Sequence, residues 1–176
     1  MGKELPIITG SILSLRPISL ADTDLIVKWR NKPRVKKNFI FRDTFTPEIH
    51  EKWMNTKIEK GEAVQYIIEV KGIPVGSVYF RNIMELYHSG EFGIFIGEEN
   101  AIGKGFGFEA TKLFVGFGFS YLNFHRISLR VLSGNKDAYK VYSSVGFRQE
   151  GLFRDMVYID GKYHDVIFMA MLNDNR

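Results

Sequence analysis

The tetrapeptide Gly-Phe-Gly-Phe occurs twice in one stretch of the chain, at residues 105–108 and again at residues 116–119. Eleven residues separate the two copies, which is about three turns of an α-helix, so corresponding residues lie on one face. That face repeats apolar side chains at i, i+3 and i+4 spacing: Phe106, Ala110, Leu113, Phe114, Phe117 and Tyr121. Because such a stripe must be buried, residues 105–123 are predicted to form a helix that packs against a sheet.

The second glycine pair is predicted to have a structural role. Each glycine inside a helix costs about 1 kcal/mol relative to alanine, so Gly116 and Gly118 together cost about 2 kcal/mol. A helix that keeps both glycines needs its backbone to approach a neighbouring element closely. We expect that neighbour to be the sheet or another helix.

The first glycine pair lies where a phosphate group could bind. It follows a predicted strand at 88–97 and a polar loop, and it opens the helix with the sequence Gly103-Lys104-Gly105-Phe106-Gly107. The first N–H groups of a helix have no partner within it, and glycines carry no β-carbon to keep a ligand away. The spacing matches neither a Walker loop nor a good dinucleotide-binding fingerprint. We therefore predict a phosphate or diphosphate site here.

The order of elements predicts an α/β (α+β) fold with a mostly antiparallel mixed sheet and about four helices. Lys71-Gly72 and Asp160-Gly161 are turn signals between β-rich runs, and each predicts a hairpin. The predicted strands cover residues 12–18, 63–70, 73–81, 88–97, 126–132, 147–159 and 163–172. The predicted helices cover residues 19–31, 46–61, 105–123 and 136–144. The chain contains no linker or low-complexity tract, so we expect a single domain over residues 1–176.

Composition excludes several classes of function. The chain has no cysteine, which rules out disulfides, thiolate catalysis and cysteine-type zinc sites. Its four histidines show no metal-ligand spacing, so no metal is expected. No apolar run is long enough for a signal peptide or a membrane span. We therefore expect a cytoplasmic protein that makes no contact with a membrane.

Two motifs resemble those of the GNAT superfamily of acetyl-coenzyme A-dependent N-acetyltransferases. Residues 102–107 are similar to its Gln/Arg-x-x-Gly-x-Gly/Ala loop, except that Ile102 stands in place of Gln or Arg. Residues 135–147 are similar to its Asn-x-x-Ala-x-x-x-Tyr-x-x-x-Gly-Phe segment. The resemblance covers residues 13–172 and points to the branch related to the ribosomal-protein N-terminal acetyltransferases. It implies a sheet with splayed central strands.

The resemblance also implies how acetyl-CoA binds as cosubstrate. Backbone N–H groups of the loop would hold its diphosphate, Asn135 would hydrogen-bond the pantetheine arm, and the strand end at 94–96 would pair with the pantetheine amides. Tyr142 would stand near the sulfur and protonate the leaving thiolate. A simple helix N-cap and a core tyrosine are the alternative roles of Asn135 and Tyr142. The implied coenzyme contacts are Phe95, Ile96, Gly103, Lys104, Gly105, Phe106, Gly107, Phe108, Asn135 and Tyr142.

Amine attack on a thioester requires a neutral amine. A lysine-like amine of pKa about 10.4 needs roughly 4.6 kcal/mol to lose its proton at neutral pH, so a base is useful. Glu91 is the predicted base, because it lies on the strand face opposite Ile94 and Ile96. Carboxylates at the matching strand position also resemble water-mediated bases in some GNAT relatives. A salt-bridged Glu91 is the alternative, and His88 or water could then take the proton.

A basic segment suggests the nature of the acceptor. Residues 28–42 carry seven basic side chains and no acidic one, whereas the whole chain has a net charge of only +4. A local basic surface favours an anionic partner. The Trp-Arg-Asn sequence within it resembles a segment of relatives that acetylate nucleotide-linked amino sugars. We therefore expect Trp29, Arg30, Asn31 and Arg34 to bind an anionic acceptor amine, such as a nucleotide-linked amino sugar.

Other acceptors and partners stay open. N-terminal acetylation of a ribosomal or other protein is an alternative, because the basic segment could contact RNA phosphate, although direct nucleic-acid binding is not expected. A polyamine is a polycation and fits the basic segment less well. A coenzyme A-binding module without catalysis conflicts with the presence of both Glu91 and Tyr142. The closing hairpin offers a surface for a homodimer.

Overall fold

The computed structural model describes residues 4–174, and the eight strands in that range belong to one sheet. The strands are β1 (Ile8–Thr9), β2 (Ser14–Pro17), β3 (Val64–Val70), β4 (Ile73–Met84), β5 (Ser89–Ile96), β6 (Arg126–Leu132), β7 (Arg148–Ile159) and β8 (Lys162–Leu172). Their order across the sheet is β1-β2-β3-β4-β5-β6-β8-β7. Neighbours are antiparallel except β5 and β6, which are parallel. The mostly antiparallel mixed sheet predicted from the sequence is confirmed.

Five α-helices connect these strands within the described residues. They are α1 (Thr23–Asn31), α2 (Pro33–Lys36), α3 (Pro47–Trp53), α4 (Phe106–Ser120) and α5 (Lys136–Val145). A π-helical turn, Met54–Ile58, continues α3, and the two together occupy most of the helix predicted at 46–61. The four-residue α2 was not predicted, although Pro33 at its first position is a helix-start signal.

Strands β5 and β6 separate part-way along their length. Parallel pairing of β5 with β6 runs only from Ser89 opposite Arg126 to Glu91 opposite Ser128. Beyond Glu91 the strands diverge, while β5 stays paired with β4 as far as Ile96. The edge of β5 from 92 to 96 that faces β6 therefore has no strand partner among residues 4–174. This opening confirms the splayed strands that the GNAT resemblance implies.

Helix α4 packs on one face of the sheet, as its apolar stripe predicts. Phe114 is fully buried and stacks on Phe80 of β4, with their ring centroids 4.5 Å apart. Phe117 lies against Tyr66 of β3 at 5.5 Å. Burying an aromatic ring contributes about 1.5–3 kcal/mol, so these contacts fix the helix and its first turn relative to the strands.

The two glycines of the second tetrapeptide differ in their surroundings. A β-carbon at Gly118 would lie 2.8 Å from Phe80 Cζ and 2.9 Å from Ile127 Cδ1, so the helix does approach the sheet closely there. Gly116 faces open space, with no heavy atom within 4 Å of its β-carbon position. The predicted close approach is therefore confirmed at Gly118 and wrong at Gly116.

These surroundings predict opposite effects on stability. We expect Gly118→Ala to lower the free energy of unfolding by about 1–2 kcal/mol, because overpacking against Phe80 exceeds the gain in helix propensity. Gly116→Ala should raise it by up to about 1 kcal/mol, because it gains propensity without a clash. Urea unfolding of the two variants beside the wild type measures both changes. Equal changes would contradict the packing assigned to Gly118.

A second apolar cluster lies on the opposite face of the sheet. Trp29 of α1 and Val35 of α2 pack there against Ile67 of β3 and Phe95 of β5. Alternation along β5 produces the two clusters, because Phe92 points to the α4 side and Phe95 to the α1 side. The first two helices are thereby attached beside the point where β5 and β6 separate.

The closing hairpin of β7 and β8 exposes apolar side chains. Phe153, Tyr158 and Tyr163 are each about half exposed or more. The register of β7 shifts twice against β8, which agrees with the irregular middle expected from the sequence. A homodimer through this hairpin stays a prediction. No helix within residues 4–174 is long and apolar enough to span a membrane.

Candidate active site

A cleft of about 950 Å³ opens where β5 and β6 separate. One wall consists of the glycine loop, the first turn of α4 and the inner side of α5. The other consists of α1, α2, α3 and the connection between α2 and α3. Its lining includes nine of the ten predicted coenzyme contacts: Phe95, Ile96, Gly103, Gly105, Phe106, Gly107, Phe108, Asn135 and Tyr142. Lys104, the tenth, lies outside the lining.

The glycine loop presents unpaired amide groups to this cleft. Gly103 and Gly105 have φ values of +72° and +79°, which favour glycine. The N–H groups of Phe106, Gly107 and Phe108 have no acceptor among residues 4–174, because the first backbone bond of α4 is from Glu109 to Gly105. No heavy atom lies within 4 Å of a β-carbon built at any of the three loop glycines. The loop can therefore hold a diphosphate on oriented N–H donors.

Helix α5 supplies Asn135 and Tyr142. Asn135 is the N-cap, and its Oδ1 accepts a hydrogen bond from Ala138 N at 3.3 Å. Its side-chain amide NH₂ has no partner among the described residues and is free to contact a ligand. The N-cap role and the predicted pantetheine contact are therefore compatible.

Tyr142 is buried, with 8% of its surface exposed, and it lines the cleft. Its ring makes edge-on contacts with Phe92 and Phe147, each at 6.0 Å between centroids. Its hydroxyl has no hydrogen-bond partner among residues 4–174. Burial, with a smaller contribution from Tyr79, raises the pKa of Tyr142, so the hydroxyl keeps its proton at neutral pH and can act as a donor.

Glu91 is tightly bound by neighbouring side chains. Its side chain is 12% exposed and forms ion pairs with Arg81 at 2.6 Å and Arg130 at 2.9 Å, and it also accepts a hydrogen bond from Asn82 at 3.1 Å. Burial alone would raise the pKa of Glu91, but hydrogen bonds and charge from Arg130 and Arg81 outweigh it and lower that pKa below 4.5. Any stability that this ionisation provides is present above pH 4.5 and is lost as the pH falls through the lowered value.

The surroundings of Glu91 and His88 disfavour both predicted bases. A carboxylate with a lowered pKa and five N–H hydrogen bonds has little tendency to take a proton from an amine. The salt-bridged alternative describes Glu91 better. His88 is exposed, ends a short turn in the left-handed region at φ 47°, and does not line the cleft. Of the three proton acceptors predicted from the sequence, water is the one that these contacts do not disfavour.

Two of the predicted acceptor residues are structural. Trp29 is fully buried in the second apolar cluster, and its Nε1 donates to Glu98 Oε1 at 2.6 Å. Asn31 ties α1 to the segment before α3, because it donates to Phe45 O at 2.7 Å and accepts from Phe45 N at 2.8 Å. Neither lines the cleft. The expectation that Trp29 and Asn31 contact the acceptor is therefore corrected: they shape the fold around it.

Arg30 and Arg34 do line the cleft, and both also brace its wall. The guanidinium carbon of Arg30 lies 3.5 Å from the ring centroid of Phe39, and burial lowers the pKa of this arginine. Arg34 Nη2 donates to Ile96 O at 2.9 Å, which joins α2 to the end of β5. The Nε atoms of both arginines are buried without a partner in the described part of the chain.

Several cleft residues were not predicted from the sequence. Arg81, Arg130 and Tyr79 lie on β4 and β6, on the face of the sheet that carries Glu91. Strand alternation is the signal that could have found them, since Arg81 pairs directly with Glu91. His50 is 1% exposed and also reaches the lining, where its Nδ1 lies 2.9 Å from Thr23 Oγ1. The sequence of α3 contains no signal that distinguishes His50 from the other residues of the helix.

The fold and this site agree with a known family. Residues 13–148 match the acetyltransferase (GNAT) domain. This chain belongs to the GNAT family. It is an acetyl-CoA-dependent N-acetyltransferase, and the loop of unpaired amides fits the diphosphate of that cosubstrate. Residues 4–174 contain no group of three or more His, Cys, Asp and Glu side chains that could hold a metal ion.

Two of the named relatives of this GNAT protein carry the names of different acceptors. An uncharacterised N-acetyltransferase, p20, of Bacillus licheniformis is 30% identical over 91% of this chain and 92% of its own length. A crystal structure of spermidine N-acetyltransferase from Vibrio cholerae, in complex with CoA and spermine, superposes with a TM-score of 0.86 at 27% identity, covering 93% of this chain and 96% of that one. The putative ribosomal N-acetyltransferase YdaF of Bacillus subtilis is 26% identical over 75% of this chain and 69% of its own length.

Proposed function

We propose that the enzyme acetylates a primary amine that also carries a negatively charged group, such as a nucleotide-linked amino sugar. The observation that carries this proposal is the charge of the cleft. Six cationic side chains line it: Arg30, Arg34, Lys52, Lys57, Arg81 and Arg130. Two carboxylates, Glu91 and Asp137, oppose them. Even with Lys57 paired to Glu62 outside the cleft, positive charge is in excess.

This excess disfavours a polyamine, despite the similarity to spermidine acetyltransferases. Two like charges 4 Å apart repel by about 4 kcal/mol at an effective dielectric constant of 20. A polyamine bound here would need carboxylates to offset that repulsion. Glu91 is already occupied by Arg81 and Arg130, so it is not free to pair with a second cation.

The chemistry follows from residues of this chain. Loop amides and Asn135 hold the cosubstrate, and the unpaired edge of β5 orients its acyl end. Positive side chains around the acceptor lower the pKa of its amine, which helps water to take the proton. The nitrogen then forms a bond to the acetyl carbon and the carbon–sulfur bond breaks, while the nitrogen gives its remaining excess proton to water. The Tyr142 hydroxyl donates its proton toward the departing sulfur, and solvent restores it.

A matched acceptor screen tests the proposal. Purified protein with acetyl-CoA would be given spermidine, a peptide with a free N-terminus, a uridine diphosphate-linked amino sugar and the same sugar without its nucleotide, while free thiol is measured. We expect kcat/KM for the nucleotide-linked sugar to exceed the others by about 10-fold or more, and the advantage to shrink with added salt, because charge interactions are screened. Fastest turnover of spermidine or of the peptide would overturn the proposal in favour of that acceptor.

A further inference from the structure

We infer that Arg81 and Arg130, held side by side by Glu91, form the site that binds the negatively charged group of the acceptor. This inference rests on the proposed function, because it concerns the same acceptor. The three residues lie on three adjacent strands, with Glu91 on β5 between Arg81 on β4 and Arg130 on β6. All three line the cleft.

Glu91 fixes the two guanidinium groups. Arg81 donates to Glu91 Oε1 through Nε at 3.2 Å and Nη2 at 2.6 Å. Arg130 donates through Nε to Oε1 at 3.1 Å and through Nη2 to Oε2 at 2.9 Å. One carboxylate thus orients two arginines, and the group keeps a net charge of +1. Such fixed positions reduce the ordering that an incoming anion would otherwise require.

Each arginine keeps one nitrogen for a ligand. The Nη1 atoms of Arg81 and Arg130 have no hydrogen-bond partner among residues 4–174, and neither belongs to the buried atoms that lack one. Neither atom is therefore fully buried, and both side chains line the cleft. Planar guanidinium donors suit the oxygens of a carboxylate or a phosphate. Two of them beside each other form a site for one such group.

The site lies where strands β5 and β6 separate. Glu91 belongs to the last pair that joins β5 to β6 before the two strands separate. Arg130 lies two residues beyond its pairing partner Ser128, on the same face of β6. Arg81 and Arg130 thus lie at the point where the cleft begins. They are on the sheet face that packs against α1, opposite the face that packs against α4. An anion bound there would hold its attached amine beside the splayed strands.

The other two arginines of this wall are less suited to the role. Arg30 is stacked between Phe39 and Phe45, with its guanidinium carbon 3.5 and 4.8 Å from their ring centroids. Arg34 is bound to the backbone carbonyls of Ile96 and Gly97. Both side chains hold the wall of the cleft together. They would therefore attract an anion by their charge, without offering it a fixed pair of N–H donors.

Anion binding tests the inference without an identified acceptor. Protein saturated with CoA, which fills the glycine loop, would be titrated with inorganic phosphate and, separately, with acetate by calorimetry. The variants are Arg81→Gln and Arg130→Gln, which keep a donor for Glu91, and the control is Arg126→Gln. Arg126 is on the same strand as Arg130 but pairs with Glu150 and does not line the cleft. Thermal unfolding would verify that each variant is folded.

We expect the wild type and Arg126→Gln to bind at least one of these anions, and both cleft variants to bind it about 10-fold more weakly or worse. Tighter binding of phosphate would indicate that the acceptor carries a phosphate group, and tighter binding of acetate would indicate a carboxylate. Arg81→Lys and Arg130→Lys should give intermediate affinities, because they keep the charge without the fork. Equal affinity in all variants, or no binding to the wild type, would overturn the inference.

A second measurement separates this inference from the proposed function. It compares kcat/KM for a charged acceptor and its uncharged analogue in each variant. Arg81→Gln and Arg130→Gln should reduce the preference for the charged acceptor, whereas Arg126→Gln should not. A preference that persists in both cleft variants would overturn this anion site and leave the proposed function intact. A wild type that prefers spermidine would overturn the proposed function, even where the cleft still binds phosphate.

Discussion

Tyr142→Phe is expected to lower kcat by about 10²-fold or more, because it removes the hydroxyl that we propose protonates the leaving thiolate. The KM for acetyl-CoA should stay nearly unchanged, since the ring keeps its contacts with Phe92 and Phe147. Stability should not fall. The hydroxyl has no hydrogen-bond partner among residues 4–174, so its removal leaves no buried group unsatisfied. Steady-state measurement of thiol release gives both kinetic constants.

Tyr139→Phe is the matched control for this experiment. Tyr139 is on the same helix and is partly buried, but it does not line the cleft. Its variant should keep wild-type kcat. If Tyr142→Phe also kept wild-type kcat, Tyr142 would be a core tyrosine and the thiolate would leave with a proton from water. A loss of kcat together with a lower melting temperature in Tyr142→Phe would instead indicate damaged packing.

Periodicity in the sequence predicted the elements of this fold well, because burial on one face leaves a regular pattern. Strand β6 and helix α5 lie within one residue of their predicted bounds. The apolar stripe of α4 identified the side chains that are packed on the sheet. Short elements carry too few residues for a period, so the two-residue β1 and the four-residue α2 were missed.

Nine of the ten predicted coenzyme contacts line the cleft, whereas only two of the four predicted acceptor residues do. Loop glycines and the N-cap Asn135 act largely through backbone geometry, which leaves its signature within a few neighbouring residues. The acceptor side depends on pairs distant in sequence. Arg130 reaches Glu91 across 39 positions, and Trp29 reaches Glu98 across 69. A single sequence does not show such pairs, which is why it predicts Glu91 as a base and Trp29 as a ligand contact.

Basic residues in one segment were also a poor guide to which charges face the ligand. Of residues 28–42, Arg30 and Arg34 line the cleft, whereas Lys32 pairs with Glu98 and Arg42 with Asp160. The positive charge of the cleft survives because β4 and β6 contribute Arg81 and Arg130 from outside that segment. The basic segment therefore predicts a positively charged acceptor side, but it supplies only part of that charge.

Gly107→Asp is expected to weaken CoA binding by about 10²-fold while leaving the protein folded. A new carboxylate would stand among the unpaired amides of the first helical turn, and its repulsion from a diphosphate is on the order of 3 kcal/mol. The same carboxylate suits the free helix, because an acidic side chain at the N-terminal turn contributes about 0.3–1 kcal/mol. No heavy atom lies within 4 Å of the position for its β-carbon, so no clash arises. Calorimetric titration with CoA and urea unfolding measure the two effects separately.

Two control variants separate the effect of the new charge from the effects of side-chain size and of position in the helix. Gly107→Asn has nearly the same shape without the charge and should lose far less affinity. Gly116→Asp places the same charge nine residues further along α4, also in open space, and should leave CoA affinity unchanged while slightly lowering stability near the C-terminal end of the helix. Opposite trends of affinity and stability at Gly107 would arise only if its first-turn amides hold the diphosphate. An unaltered CoA affinity in Gly107→Asp would mean that the diphosphate binds elsewhere.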